Sequence, residues 1–337
     1  MHLVSRVKPV PSLLAAFALL ASVAACGAEV DLAKTNFSRS TIPAAESSGG
    51  SSGSGVPEGK PVDPAFAPDR LRKVDPCGVI DAETVAELGE AGAPTATGYD
   101  ECSVTLRKDG KTSSIKVELG INMLLESKRL TKDVGGLKAD QSVNQTFCDH
   151  KIMVQEGTYS LGISVSLRTE AANRCDLSNK AGAAVINRIK SNPPQRNAEA
   201  GVLAQIDTCT VLDQIALAEV LTNVPSIFPW RLHQCSWRRT DGLSLKINLS
   251  VETNPKNAKG SFAPEEVKVD DSLTVYKKYS DTSHPRCEIS WPYRATEGTK
   301  AEVVQVEVTN VPNTAGYDAC GKAIGVVKAL KAKFPKV

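Results

Sequence analysis

Apolar residues recur at every second position in several stretches of the chain. Val104 and Leu106 alternate with polar neighbours, and Ile115, Val117, Leu119 and Ile121 do so again after the intervening "KDGK". A period of two is that of a strand with one face on a core, and an Asp-Gly between two such runs predicts a tight hairpin. Leu243, Leu245, Ile247, Leu249 and Val251 repeat the pattern after "TDG". A second hairpin is predicted to turn at "EGT" in two places, Glu156 to Thr158 and Glu297 to Thr299. Its return strands carry Tyr159, Leu161, Ile163, Val165 and Leu167 in one case, and Val304, Val306 and Val308 in the other.

The period then changes. Cys320, Ala323, Val327, Leu330 and Phe334 follow helical spacing at the C-terminal end. Asp81 and Asp213 stand where N-caps are expected, ahead of short helices carrying Val85 and Leu88, or Leu217, Val220 and Leu221. Each half of the chain therefore runs helix, hairpin, variable segment, hairpin, helix. Strands with one polar and one apolar face imply an antiparallel sheet covered on one side by helices. The expected fold class is α+β, as two tandem similar domains. Each is an antiparallel sheet of about four strands packed by N- and C-terminal helices and stapled by disulfides.

The duplication is carried by the cysteines. Cys77, Cys102, Cys148 and Cys175 are spaced by 25, 46 and 27 residues, and Cys209, Cys235, Cys287 and Cys320 by 26, 52 and 33. "VDPCGVID" faces "IDTCTVLD", and "DECSVTLRKDG" faces "HQCSWRRTDG". Prolines in "SNPPQRNAEAGVLAQ" mark the boundary, so the copies span 71–195 and 196–337. Cys148 starts a third strand and Cys175 lies beyond the end of the fourth, points that antiparallel neighbours bring together. The expected bridges are Cys148 with Cys175 and Cys287 with Cys320, leaving Cys77 with Cys102 and Cys209 with Cys235. Each quartet allows three connectivities.

Nine cysteines leave one outside the quartets. That one, Cys26, follows Arg6, Lys8, an apolar run from Leu13 to Ala25 and the small residues Val23, Ala24 and Ala25. The run is too short to span a bilayer, which needs about 20 apolar residues, but suits a signal peptide over 1–25. The motif resembles the bacterial lipobox, which implies diacylglycerol on the Cys26 sulfur and cleavage before it. Two acyl chains hold a protein on a membrane where one would be marginal, each buried methylene adding about 0.8 kcal/mol. Residues 26–70 follow, rich in Gly, Ser and Pro ("ESSGGSSGSGVPEG"), and are expected to be a flexible tether with a reach of roughly 35 Å. The expected location is exported, on the outer face of the cytoplasmic membrane, where eight further cysteines would oxidise.

Together these features resemble an actinobacterial lipoprotein family known as domain of unknown function 3558. Asp75, Pro76 and Cys77 match its Asp-Pro-Cys, and Cys235, Ser236 and Trp237 match its Cys-x-Trp strand start. Helices after Cys175 and Cys320 match its late cysteine before a final helix. Thr208 replaces the proline in the second copy and Val104 the tryptophan in the first. The resemblance covers Val74 to the C-terminal end, implies an envelope lipoprotein, and brings no catalytic residue with it.

Charge and motif content narrow the function. Removing Arg6 and Lys8 with the signal segment takes Lys+Arg from 40 to 38 against 38 Asp+Glu. A balanced chain has no strong steering toward nucleic acid. There is no His-Glu-x-x-His and no phosphate-binding glycine loop, and Ser113 with Lys116 sits on a strand without partner motifs. His150, His233 and His284 are scattered. No enzyme activity, cofactor or metal is expected. The copies differ most where the first has "APTATGYDEC" and the second "SIFPWRLHQC". Phe228, Trp230, Arg231 and His233 place aromatic and cationic groups on an expected loop, the composition of binding hot spots. The alternative is that Phe228 and Trp230 fill the core or the seam between copies. Trp291 is expected in the core. The function expected is binding of an envelope protein, a glycan or a small ligand, the alternative being a structural docking protein. Replacing the anchor cysteine, Cys26→Ser, should move the chain from the membrane fraction to the soluble exported fraction. An unchanged distribution in fractionated cells would exclude the lipid anchor.

Overall fold

The computed structural model describes residues 59–124, 129–157, 159–196, 202–222, 226–261, 263–281 and 284–336. The expected signal peptide, Cys26 and the tether as far as residue 58 lie outside the described residues. The tether is shorter than expected at its far end. Residues 60–70, expected in the tether, form with Leu71 a strand β1 (Lys60–Pro61), a 3-10 turn (Pro64–Phe66) and a helical turn α1 (Pro68–Leu71). Phe66 and Leu71 are buried in the first core, so two apolar side chains outweigh the loop-forming composition around them.

Two antiparallel sheets follow. The first contains β2 (Glu90–Ala91), β3 (Thr95–Thr97), β4 (Glu101–Lys108), β5 (Lys111–Asn122), β6 (Lys132–Val134), β7 (Leu137–Val143), β8 (Phe147–Glu156) and β9 (Leu161–Arg168). Its order is β2-β4-β5-β9-β8-β7-β6, with β1 on β8 and β3 on β4. The second contains β10 (Ser226–Arg231), β11 (Gln234–Arg238), β12 (Leu243–Thr253), β13 (Glu265–Asp270), β14 (Leu273–Ser280), β15 (Arg286–Ala295) and β16 (Lys300–Asn310). Its order, β10-β11-β12-β16-β15-β14-β13, is the same path. With nine and seven strands the sheets exceed the expected four. The extra strands are an arm ahead of β4 and β11, and a hairpin within each segment expected to be variable. Those hairpins lie toward the outer edge, and β6, β7 and β13 carry few buried residues, so their periodicity is weak.

The expected hairpins and helices are present. The "KDGK" turn has positive φ at both Asp109 and Gly110 (51° and 74°), the mirror-image geometry that matches strand twist. Helix α2 (Ala82–Val85) and helix α4 (Gln214–Leu221) are capped as expected by Asp81, accepting from Thr84 N–H, and Asp213, accepting from Ala216 N–H. Helix α3 (Arg174–Ser191) ends at Asn192 because Pro193 disfavours helical backbone in the residue before it. Helix α5 (Ala319–Lys333) buries Ala323, Val326, Val327 and Leu330. These lie in one cluster with Ile289, Trp291, Val304 and Val306, and α3 covers the first sheet in the same way. All four expected disulfides are present, with Cα–Cα separations of 5.1–5.2 Å. Loops of this length stabilise by about 3 kcal/mol each on the chain-entropy model.

The two sheets belong to one compact unit. Tyr99 stands three residues ahead of Cys102, and Leu232 three ahead of Cys235. Each leaves its own half: Tyr99 is buried in the cluster of the second sheet, Leu232 in that of the first. The next residues in each, Asp100 and His233, hydrogen-bond to one another at 2.6 Å. Leu119 N–H donates to Asp100 O, and its positional counterpart Leu249 N–H donates to His233 O.

The seam is closed on both sides. Tyr99 Oη donates to Glu302 Oε1 at 2.5 Å, and Glu302, fully buried, also accepts from Leu203 N–H and Arg294 Nε. Burial, then Glu302, pushes the Tyr99 phenol far above its ordinary range, so it stays a donor. Across the seam, Leu232 packs on Gly120, where β5 bulges against β9 with φ of +67°. A Cβ there would lie 2.2 Å from Leu232 Cγ, so both backbone and space require glycine. Leu232→Ala should cost about 2–5 kcal/mol. Because the two cores share the seam, urea unfolding of this variant should remain one transition at a lower midpoint. Two separated transitions would show that the halves fold independently.

Candidate ligand-binding cleft

On the first sheet the side chains opposite the core alternate along β5, β9 and β8. Lys116, Ser166 and Asp149 form one cross-strand row, and Glu118, Ser164 and Lys151 the next. Arg168 stands opposite Phe147 in a third row on the other side. This polar face is the floor of a cleft of about 690 Å³, also lined by Asn122, Trp230, Arg231 and Gln234. The volume falls within the roughly 300–1,000 Å³ of small-molecule sites.

One wall comes from the other half of the chain. Strand β10 pairs with β11 and carries Phe228, Trp230 and Arg231 over the edge of the first sheet. Asn122 Nδ2 donates to Pro229 O at 2.9 Å, and Arg231 Nη1 pairs with Glu118 Oε1 at 2.5 Å. Phe228 packs edge-on against Tyr159 with centroids 5.6 Å apart, and the Arg238 guanidinium lies over its ring. Trp230 is 42% exposed, yet its Nε1–H donates to Ser236 Oγ at 2.7 Å, which fixes the ring. The indole stacks on Phe228 with centroids 6.4 Å apart, and its exposed part is an apolar platform at the cleft.

The electrostatics are uneven. Burial alone would lower the Lys116 pKa, but Glu118 and Glu101, each 3.3 Å from its ammonium, outweigh this and raise it. Burial pushes the Asp149 carboxyl above its usual range, partly opposed by the hydrogen bond from Ser164 Oγ at 2.7 Å and by Lys151. Arg168 is exposed, and its guanidinium has no ion-pair or hydrogen-bond partner among the described residues.

Of the four residues singled out from sequence, Trp230 and Arg231 line the cleft, and Phe228 supports the wall from behind. Phe228 sits in the seam against Tyr159 and Trp230 faces the opening. They lie on a strand rather than a loop, because Ile227 enters the second core and draws the segment into pairing with β11. His233 does not belong with them. It is buried with both ring nitrogens engaged, Nδ1 with Asp100 and Nε2 with Ala204 O, and serves the seam. The floor residues were missed, since outward polar positions on a strand look like ordinary solvated surface until something stands over them. Among the described residues no group of three or more His, Cys, Asp or Glu is placed to hold a metal ion.

Fold and cleft define a disulfide-linked α+β protein of antiparallel sheets with a polar, aromatic-walled groove. No family model matches the chain, and no curated protein matches it. A solved structure resembling it is the di-domain ARO/CYC StfQ from the steffimycin biosynthetic pathway. The two are 11% identical with a TM-score of 0.15, over 79% of this chain and 95% of the other. A score that low carries no argument about fold or function.

Asp149 gives a pH-dependent test. Its folded pKa is raised, so the stability linked to it is fully present below the unfolded carboxylate range and lost as pH rises through the raised value. Asp149→Asn keeps an acceptor for Ser164 and removes the buried charge. The variant should melt higher than the parent at pH 7, and the gap should close near pH 3. An equal gap at both values would show that burial does not govern this group.

Proposed function

We propose that this chain is an exported lipoprotein, anchored at the outer face of the membrane through Cys26, that acts by binding a ligand in the cleft beneath Trp230. The lipobox-like segment and the spacer after it support the anchor. Trp230 carries the binding reading: a large aromatic, exposed yet locked by Ser236 at the mouth of a preformed groove, has the features of a binding anchor. The cleft carboxylates are engaged by neighbouring cations or a hydroxyl, as suits recognition better than catalysis.

The chain further reads as two copies of one module and as a relative of the domain of unknown function 3558 lipoproteins. The common strand order, the paired disulfide positions and the reciprocal placement of Tyr99 and Leu232 support the duplication. The first copy supplies the floor of the site and the second supplies its wall.

Native mass spectrometry of the purified chain, exposed to a water-soluble small-molecule extract of the cell envelope, should detect a retained ligand. Trp230→Ala should lose it while keeping the parent's melting temperature, since the side chain is outside the core. Equal retention by a folded variant would remove the cleft from the function.

A further inference from the structure

We propose that the cleft takes an acidic saccharide, with a sugar ring on Trp230 and a carboxylate or phosphate at Arg168. The inference rests on the cleft being the ligand site and adds the chemical class of the ligand.

Shape comes first. Lys151 and Glu118, at the Trp230 end, lie in a row that is four residues along β8 from Phe147, the partner of Arg168. At about 3.3 Å per residue the trough runs about 13 Å along the strands, a length suited to a short chain of linked rings. Every floor strand has a neighbour on both sides: β5 between β4 and β9, β9 between β5 and β8, β8 between β9 and β7. No backbone edge is open there, so an extended peptide has no strand to pair with and recognition falls to side chains.

The side chains then select. Between the ends the floor presents the hydroxyls of Ser164 and Ser166 beside Asp149, groups that exchange hydrogen bonds with sugar hydroxyls. Trp230 offers the flat apolar face that the C–H side of a sugar ring covers. Charge sets the sign. Lys116, Lys151, Arg168 and Arg231 line the trough with Glu118 and Asp149, and Arg168 has no ion-pair partner among the described residues. Glu118 engages both Lys116 and Arg231, whereas Arg168 keeps its planar fork of donors, the geometry that matches a carboxylate or phosphate.

Isothermal titration calorimetry of the disulfide-intact chain would use three probes: the N-acetylglucosamine disaccharide, the same disaccharide with a lactyl carboxylate on one ring, and its 1-phosphate. At least one acidic probe should bind tenfold or more tightly than the neutral disaccharide, with the advantage shrinking in 0.5 M salt. Which acidic probe prevails identifies the anion. Arg168→Gln should abolish the advantage, and Trp230→Ala should weaken every probe. Equal binding of all three, or an advantage that survives Arg168→Gln, would overturn the acidic class and leave the cleft as a site. Failure of all three probes would overturn the saccharide proposal. If Trp230→Ala also retained the ligand from the envelope extract, the cleft itself would fall.

Discussion

The exchange of Tyr99 and Leu232 between the two cores is the constraint on which the molecule depends. Each side chain is buried away from its own sheet, so neither core is complete without the other half. Hydrophobic burial alone gives no orientation, because it has no direction. Direction comes from the polar groups that travel with these plugs. Asp100 and His233 meet each other, Tyr99 meets the buried Glu302, and Glu302 is held by Arg294 and Leu203 N–H. A buried carboxylate left without these donors would be strongly destabilising, so the seam tolerates little rearrangement.

The same seam creates the cleft. Leu232 enters the first core against Gly120, and the strand immediately before it must then pass over the outer face of the first sheet. Arg231 reaches Glu118 and Pro229 receives Asn122 as consequences of that path. Trp230 is thus aimed by packing on one side of it and by Ser236 on the other. A wall from one half and a floor from the other give a site that exists only when the two are docked.

The outer faces of the two sheets differ in how their polar groups are engaged. The arm that carries Phe228, Trp230 and Arg231 in the second half is the small, polar β3 with Gly98 in the first. The outer face of the second sheet satisfies its own polar groups: Asn248 donates to Gln305, Gln305 to Glu252, and Lys246 and Arg286 both pair with Glu307. Groups so engaged have less to offer a ligand than Arg168 on the first sheet.

The amino-acid sequence by itself determined the strands with clean alternation, the two aspartate caps and the last helix, and it favoured the four bridges among three connectivities per quartet. These follow from local periodicity, capping chemistry and cysteine spacing, which need no knowledge of the partner half. It also pointed to the segment around Trp230 as the place where the copies diverge. Tertiary structure alone decided that Phe66 and Leu71 belong to a core, that the variable segments hold edge hairpins, and that His233 is a seam residue rather than a ligand-facing one. It alone placed Lys116, Asp149, Ser166 and Arg168 along one cleft with Trp230. Their spacing is that of any solvated strand face, and what makes them a site is the arm above them, brought there by contacts between residues more than a hundred positions apart.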